Sequence, residues 1–124
     1  MKVTYTRIFK KNFKRIKRDK KWNFIFEDEI NLNGIKATRW EYVLKYCFFE
    51  DNTIPRYFNN HQIHITSDTK KMLAKRLGVS SRNISCLELH LNGQNGNCLL
   101  VYSKSDSEII LINIGTHNQV FKSL

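Results

Sequence analysis

"LELHLNGQNGNCLLVYSKSDSEIILINIGTH", residues 87–117, decides how this chain folds. Leu87, Leu89 and Leu91 alternate with Glu88 and His90, the period of two that marks a half-buried strand. A Gly/Asn-rich stretch, "NGQNGN" (92–97), interrupts the pattern before "CLLVYSK" (98–104), and "SDS" (105–107) then turns into "EIILINI" (108–114). Three strands joined by short turns make an antiparallel meander. The unbroken apolar run of the last fits an interior strand covered on both faces.

Outward from the meander, the chain reads as helical with one further strand. "MKVTYT" (1–6) alternates and predicts a short first strand. In "RIFKKNFKRIKRDKK" (7–21), Phe9, Phe13 and Ile16 form one apolar helical stripe among nine Lys or Arg, and Asp19 is the only acid. Lys10, Lys11, Lys14, Arg15, Lys17 and Arg18 make this either a solvated helix face or a surface that tracks phosphates. Residues 22–38 are ambiguous, with Asn33-Gly34 marking a turn. Trp40, Val43, Leu44, Cys47 and Phe48 have α-helical spacing in "RWEYVLKYCFFE" (39–50). That helix must stop by Thr53–Ile54, because Pro55 disfavours helical geometry in the residue before it. "SDTKKMLAKRLG" (67–78) predicts another helix, with Ser67 or Asp68 as N-cap and Gly78 as its stop. The expected class is α+β: a small twisted antiparallel sheet, built from the N-terminal strand and the meander, with helices packed on one face.

Bulk properties narrow the function. The length of 124 residues suits a single domain, 1–124. Lys plus Arg number 21 against 11 acids, a net charge of +10, which calls for an acidic partner such as nucleic acid, an anionic membrane surface or an acidic protein. No apolar run approaches the ~18 residues of a membrane span, and no secretory leader is expected. Cys47, Cys86 and Cys98 form no close pair, which fits thiols used as small core residues in a reducing cytoplasm. Without CxxC or HxxxH spacing, no metal site is expected.

Four histidines remain: His61 and His64 in "YFNNHQIH" (57–64), His90 on the polar side of its strand, and His117 after the last strand. Each alone is more often a surface or hydrogen-bonded histidine than a catalytic one. Together with a basic surface they suggest RNA cleavage. RNA carries its own nucleophile, the 2′-hydroxyl. Cutting it needs a base there, an acid at the leaving 5′-oxygen and positive charge on the phosphate. Imidazole, with a pKa of ~6.5, serves the first two tasks, and Lys or Arg serves the third.

Three pieces sharpen this reading: "NTIPRYFNNHQI" (52–63), "LELHL" (87–91) followed by "LLVYSK" (99–104), and "IGTHNQVF" (114–121). With them the chain resembles the RelE-like toxins of bacterial toxin–antitoxin pairs, especially the YafQ branch. The resemblance implies a RelE/ParE-like fold and a metal-independent mRNA interferase without cofactor, acting on ribosome-bound mRNA. It also implies neutralisation by an acidic antitoxin, the protein being a monomer or a hetero-oligomer with that partner. His61, His90 and His117 fall on the family's acid/base positions and Phe121 on its C-terminal aromatic. Two departures stand out: Asn113 occupies the place of the family's transition-state Arg, and Asn97-Cys98 that of an Asp-Trp pair. Lys104, Arg82 and the first helix are candidate substitutes for the missing cation. Residues 22–38 and 64–84 read as insertions against shorter relatives.

Two other classes compete. Ala74, Gly78, Val79, Ile84 and Leu87 have helix-turn-helix spacing, which would make residues 72–87 a DNA-binding element. Alternatively, the chain is a toxin of the same fold that acts by binding a protein and cuts nothing.

Overall fold

The computed structural model describes residues 1–78 and 80–121. In chain order the elements begin with β1 (Lys2–Tyr5), α1 (Arg7–Arg18), a 3-10 turn at Lys20–Trp22, α2 (Asn23–Glu27), β2 (Glu29–Leu32) and β3 (Ile35–Thr38). Next come α3 (Arg39–Glu41), which runs directly into a π-helix at Tyr42–Phe49, a 3-10 turn at Arg56–Phe58, β4 (His61–Ile63) and α4 (Ser67–Leu77). A 3-10 turn at Ser81–Asn83, β5 (Cys86–His90), β6 (Leu99–Lys104), β7 (Glu108–Gly115) and α5 (His117–Phe121) complete the chain.

The meander forms as its periodicity requires. β5, β6 and β7 pair antiparallel at the centre of a five-stranded sheet ordered β1-β7-β6-β5-β4. From Ile109 onward β7 is buried at every position, as its continuous apolar run predicts. β1 adds to β7 in parallel, so the first strand of the chain lies beside the last. Thr6 fastens this junction twice: its hydroxyl donates to the Ile112 carbonyl at 2.7 Å and accepts from the Phe9 N–H as the N-cap of α1. Asn33 and Gly34, with φ of 54° and 81°, make the tight turn of a separate β2–β3 hairpin.

The expected α+β architecture holds, and a second helical layer adds to it. The larger core lies under α1 and the π-helix, where Phe9, Ile16, Val43 and Phe48 meet Leu89, Leu100, Tyr102 and Leu111. On the opposite face Leu73 and Ala74 of α4 and Val120 of α5 cover Leu99, Val101, Ile110 and Ile112. No helix among the described residues is long and apolar enough to cross a membrane.

The segment 39–50 departs from its sequence reading. The pattern predicted an α-helix buried along Trp40, Val43, Leu44, Cys47 and Phe48. The buried set of the π-helix is instead Tyr42, Val43, Cys47 and Phe48, and Trp40 and Leu44 are only half-buried. Tyr42 to Cys47 and Val43 to Phe48 are steps of five, the hydrogen-bond period of a π-helix. The same period continues beyond its end, where the Glu50 and Asn52 N–H groups donate to Lys45 and Cys47 carbonyls. A smaller correction concerns α4: its N-cap is Thr66, one residue earlier than expected, while Gly78 ends it at φ 69°.

The helix-turn-helix reading does not survive. The described residues between Gly78 and Cys86 hold one 3-10 turn, Ser81–Asn83, where a recognition helix would stand. Leu87 belongs to β5, and Val79, which that reading also used, lies outside the described residues.

The three cysteines are free and buried, and burial raises their thiols from 9.0 to about 11 for Cys47 and Cys86 and about 12 for Cys98. A thiol with a raised folded-state pKa favours folding fully below 9.0 and loses that contribution as pH rises toward the folded value. Denaturant midpoints should therefore fall between pH 9 and 11, and a triple Cys→Ala variant should show a flatter decline. Phe48, packed 4.8 Å from the Tyr102 ring, should cost about 3–5 kcal/mol on replacement by Ala, read from the same unfolding curves.

Candidate functional site

Strand pairing assembles the site. His61 of β4 sits opposite Glu88 of β5, and paired residues share a face with Cβ atoms about 5 Å apart. His90 lies two residues beyond Glu88, so it projects to the same face. Three groups from two strands therefore meet at one end of the sheet. Glu88 Oε1 is 3.4 Å from the Nε2 atoms of both His61 and His90. The rings of the two histidines stand 5.9 Å apart.

Backbone carbonyls orient both imidazoles. His61 Nδ1 pairs with the Asn59 carbonyl at 2.8 Å, and His90 Nδ1 with the Gly96 carbonyl at 2.7 Å. A carbonyl can only accept, so each Nδ1 carries the proton and each Nε2 faces Glu88 with its lone pair when the ring is neutral. Glu88 is 4% exposed, and neither its Oε2 nor His90 Nε2 has a hydrogen-bond partner. At 3.4 Å the carboxylate lies close to both imidazoles, a contact that attracts only where a ring is protonated. The cluster is polar, and its buried members are incompletely satisfied.

Two loops hold this end of the sheet. After Pro55, Phe58 inserts fully into the larger core, Asn59 reverses the chain at φ 46°, and Asn60 Oδ1 accepts from the buried Tyr102 hydroxyl at 2.5 Å. The loop 92–98 meets it where Gln94 Nε2 donates to the Arg56 carbonyl and Gly93 packs on Tyr57. A Cβ on Gly96 would fall 1.8 Å from Asn92 Oδ1, the atom that accepts the Cys98 N–H. Only glycine brings the 96 carbonyl to His90 while Asn92 keeps that bond.

His117 stands apart from the other two. It is exposed at the first position of α5, and its ring lies 4.5 Å from that of Phe121. Thr116 and Gln119 cap the helix reciprocally: Gln119 Oε1 accepts the Thr116 N–H and Thr116 Oγ1 the Gln119 N–H. Asn97 Oδ1 accepts the His117 N–H at 2.9 Å. The Gly96-Asn97 dipeptide therefore touches both sides, His90 through its carbonyl and His117 through its amide. In the register His90–Leu99–Gly115, β6 lies between them.

The remaining sequence candidates are scattered. Asn113 is 1% exposed; its Oδ1 accepts from Asn12 Nδ2 at 2.7 Å and from the Ile114 N–H, and it lies in the row Glu88–Val101–Asn113, two strands away from Glu88. Lys104 shares its face with Tyr102, opposite the histidines, and pairs with Asp51 at 2.9 Å, holding that carboxyl below its usual range. Arg82 lines a groove with Gln62, His64, Lys70 and Ser85, along β4 and β5 beyond His61. The basic residues of α1 are exposed, and the helix runs along β7 toward the histidine end, where the charge of Lys21 is felt by the Cys98 thiol. Glu88 is the residue that sequence reasoning missed. Its signal was present as an acid two positions from a histidine on one strand.

No protein-family model matches the sequence, and no curated protein sequence does. Solved structures do match. The E. coli DinJ–YafQ complex is similar over 96% of both chains, with TM-score 0.58 and 17% identity. The chain has the YafQ toxin fold. A histidine-to-glutamine variant of E. coli YafQ superposes with TM-score 0.58 over 96% of both chains, at 15% identity. A copper-bound leucine-to-serine variant of a Helicobacter pylori toxin does so with TM-score 0.57 over 98% of this chain and 99% of that one, at 18% identity. Within this YafQ fold, Gly96→Ala should detach the loop from His90. We expect a stability loss of at least about 1 kcal/mol and, in ¹H–¹⁵N spectra of the ring, a mixed His90 tautomer in place of a single one.

Proposed function

We propose that this protein is the toxin of a toxin–antitoxin pair and a metal-independent endoribonuclease that cuts ribosome-bound mRNA. The observation that supports this most is the join between two half-sites: His61–Glu88–His90 on one side, His117–Phe121 on the other, with Gly96-Asn97 holding both. In this mechanism a lone pair of the Glu88–His90 side takes the proton of the 2′-hydroxyl. The oxygen attacks the adjacent phosphorus, and His117 protonates the departing 5′-oxygen. The products are a 2′,3′-cyclic phosphate and a 5′-hydroxyl. Phe121 supports the His117 ring and offers a face on which a base can stack.

Phosphate charge is the weak point. Asn113 is buried against Asn12 and supplies no cation, so Lys70, Arg82 and the end of α1 hold the strand in its place. Loss of one charged ligand at the transition state costs on the order of 10²–10³ in rate, and slow turnover is expected. The acidic partner that a charge of +10 calls for is then an antitoxin, as DinJ is found in complex with YafQ.

Purified protein in EDTA, mixed with ribosomes and an end-labelled message, should give discrete cuts ending in 2′,3′-cyclic phosphate. His117→Ala and His90→Gln should each slow them about 10²–10⁴-fold. Growth arrest on induction with RNA left intact would instead establish a toxin that acts by binding alone, the reading that Asn113 favours.

A further inference from the structure

The His61–Glu88–His90 cluster has a geometry that proton transfer does not require. Four ligands at 2.0–2.1 Å around a tetrahedral ion lie ~3.3 Å from one another. His61 Nε2 and His90 Nε2 are each 3.4 Å from Glu88 Oε1, two edges of such a tetrahedron. All three ligand atoms fall within 4.8 Å of one another, so closing the third edge takes a small ring movement. Both rings donate Nδ1–H to a backbone carbonyl, the outer-shell arrangement that turns Nε2 of a histidine toward a metal. Finally, His90 Nε2, one of these three atoms, is buried with no hydrogen-bond partner among the described residues.

We propose that His61 Nε2, Glu88 Oε1 and His90 Nε2 form a binding site for a divalent first-row transition metal, with the fourth position open to water. Two imidazoles and one carboxylate select Zn(II) or Cu(II) over Mg(II) and Ca(II), which prefer all-oxygen shells. The binding stands on geometry alone. Its consequence rests on the nuclease reading: an ion here occupies the lone pairs that would accept the 2′-hydroxyl proton, so the metal is an inhibitor. His117, outside the ligand set, stays free.

The test begins with protein stripped by EDTA and dialysed, titrated with Zn(II) by calorimetry and with Cu(II) by electron paramagnetic resonance. One ion should bind per chain, with Cu(II) hyperfine structure from two nitrogens. His61→Gln, at an exposed position outside the core, and Glu88→Gln should each weaken binding more than about 100-fold, since even outer-shell losses cost 10- to 100-fold. His117→Ala should leave it unchanged. Magnesium should not compete. Unchanged Zn(II) affinity in His61→Gln would move the metal to the thiols or the surface and overturn the site, as would stoichiometric binding lost in His117→Ala. The ribosome assay separates the two proposals. Cleavage by the stripped protein that stops at one equivalent of Zn(II) supports both. Metal binding without any cleavage leaves this site standing and removes the nuclease. Cleavage that Zn(II) does not slow overturns the inhibitory role.

Discussion

Sliding β4 by one residue against β5 would point His61 away from Glu88 and set Gln62 in its place, since side chains alternate faces along a strand. The register His61–Glu88, repeated in the rows that join β5 to β6 and β6 to β7, is therefore the constraint on which the candidate site depends. Several contacts hold it. Phe58 anchors the turn before β4, the Tyr102 hydroxyl fixes Asn60, and Asn59 reverses the chain with its carbonyl aimed at the His61 ring. Each residue of "YFNNH" does a separate mechanical task. Burial against the larger core then keeps β5 and β6 from shifting beneath them.

The site also shows how a buried carboxylate is accommodated at the end of a sheet. A carboxylate with 4% exposure and one oxygen without a partner is costly unless something positive meets it. Here two imidazoles, those of His61 and His90, stand 3.4 Å from its other oxygen. Proton acceptance and metal capture are two answers to the same deficit.

Much of this was legible in the sequence. Alternation announced β5, the apolar run announced β7, and Phe9, Phe13 and Ile16 announced the inward stripe of α1, of which Phe9 and Ile16 are fully buried. What escaped has physical causes. The π-helix, with hydrogen bonds from i to i+5, winds more widely than the 3.6-residue template, so Tyr42 was missed and Leu44 overvalued. The second layer rests on few apolar positions, Leu73, Ala74 and Val120, too sparse for a pattern. Glu88 was read as the solvent side of a strand, because alternation gives a face and not what covers it. The ligand set escaped for a related reason: 27 positions separate His61 from Glu88, and only the β4–β5 register removes that distance.

The parallel pairing of β1 with β7 places Lys2–Tyr5 against Glu108–Leu111, segments far apart in the sequence. Contacts so remote in sequence form late and slow folding. While the chain is being synthesised, its first strand has nothing to pair with until the last strand has left the ribosomal tunnel. A nascent copy therefore holds Thr6 uncapped against Ile112, α1 unseated and both half-sites unjoined. For a molecule proposed to attack ribosomes, this topology ties assembly of the whole sheet to the arrival of β7.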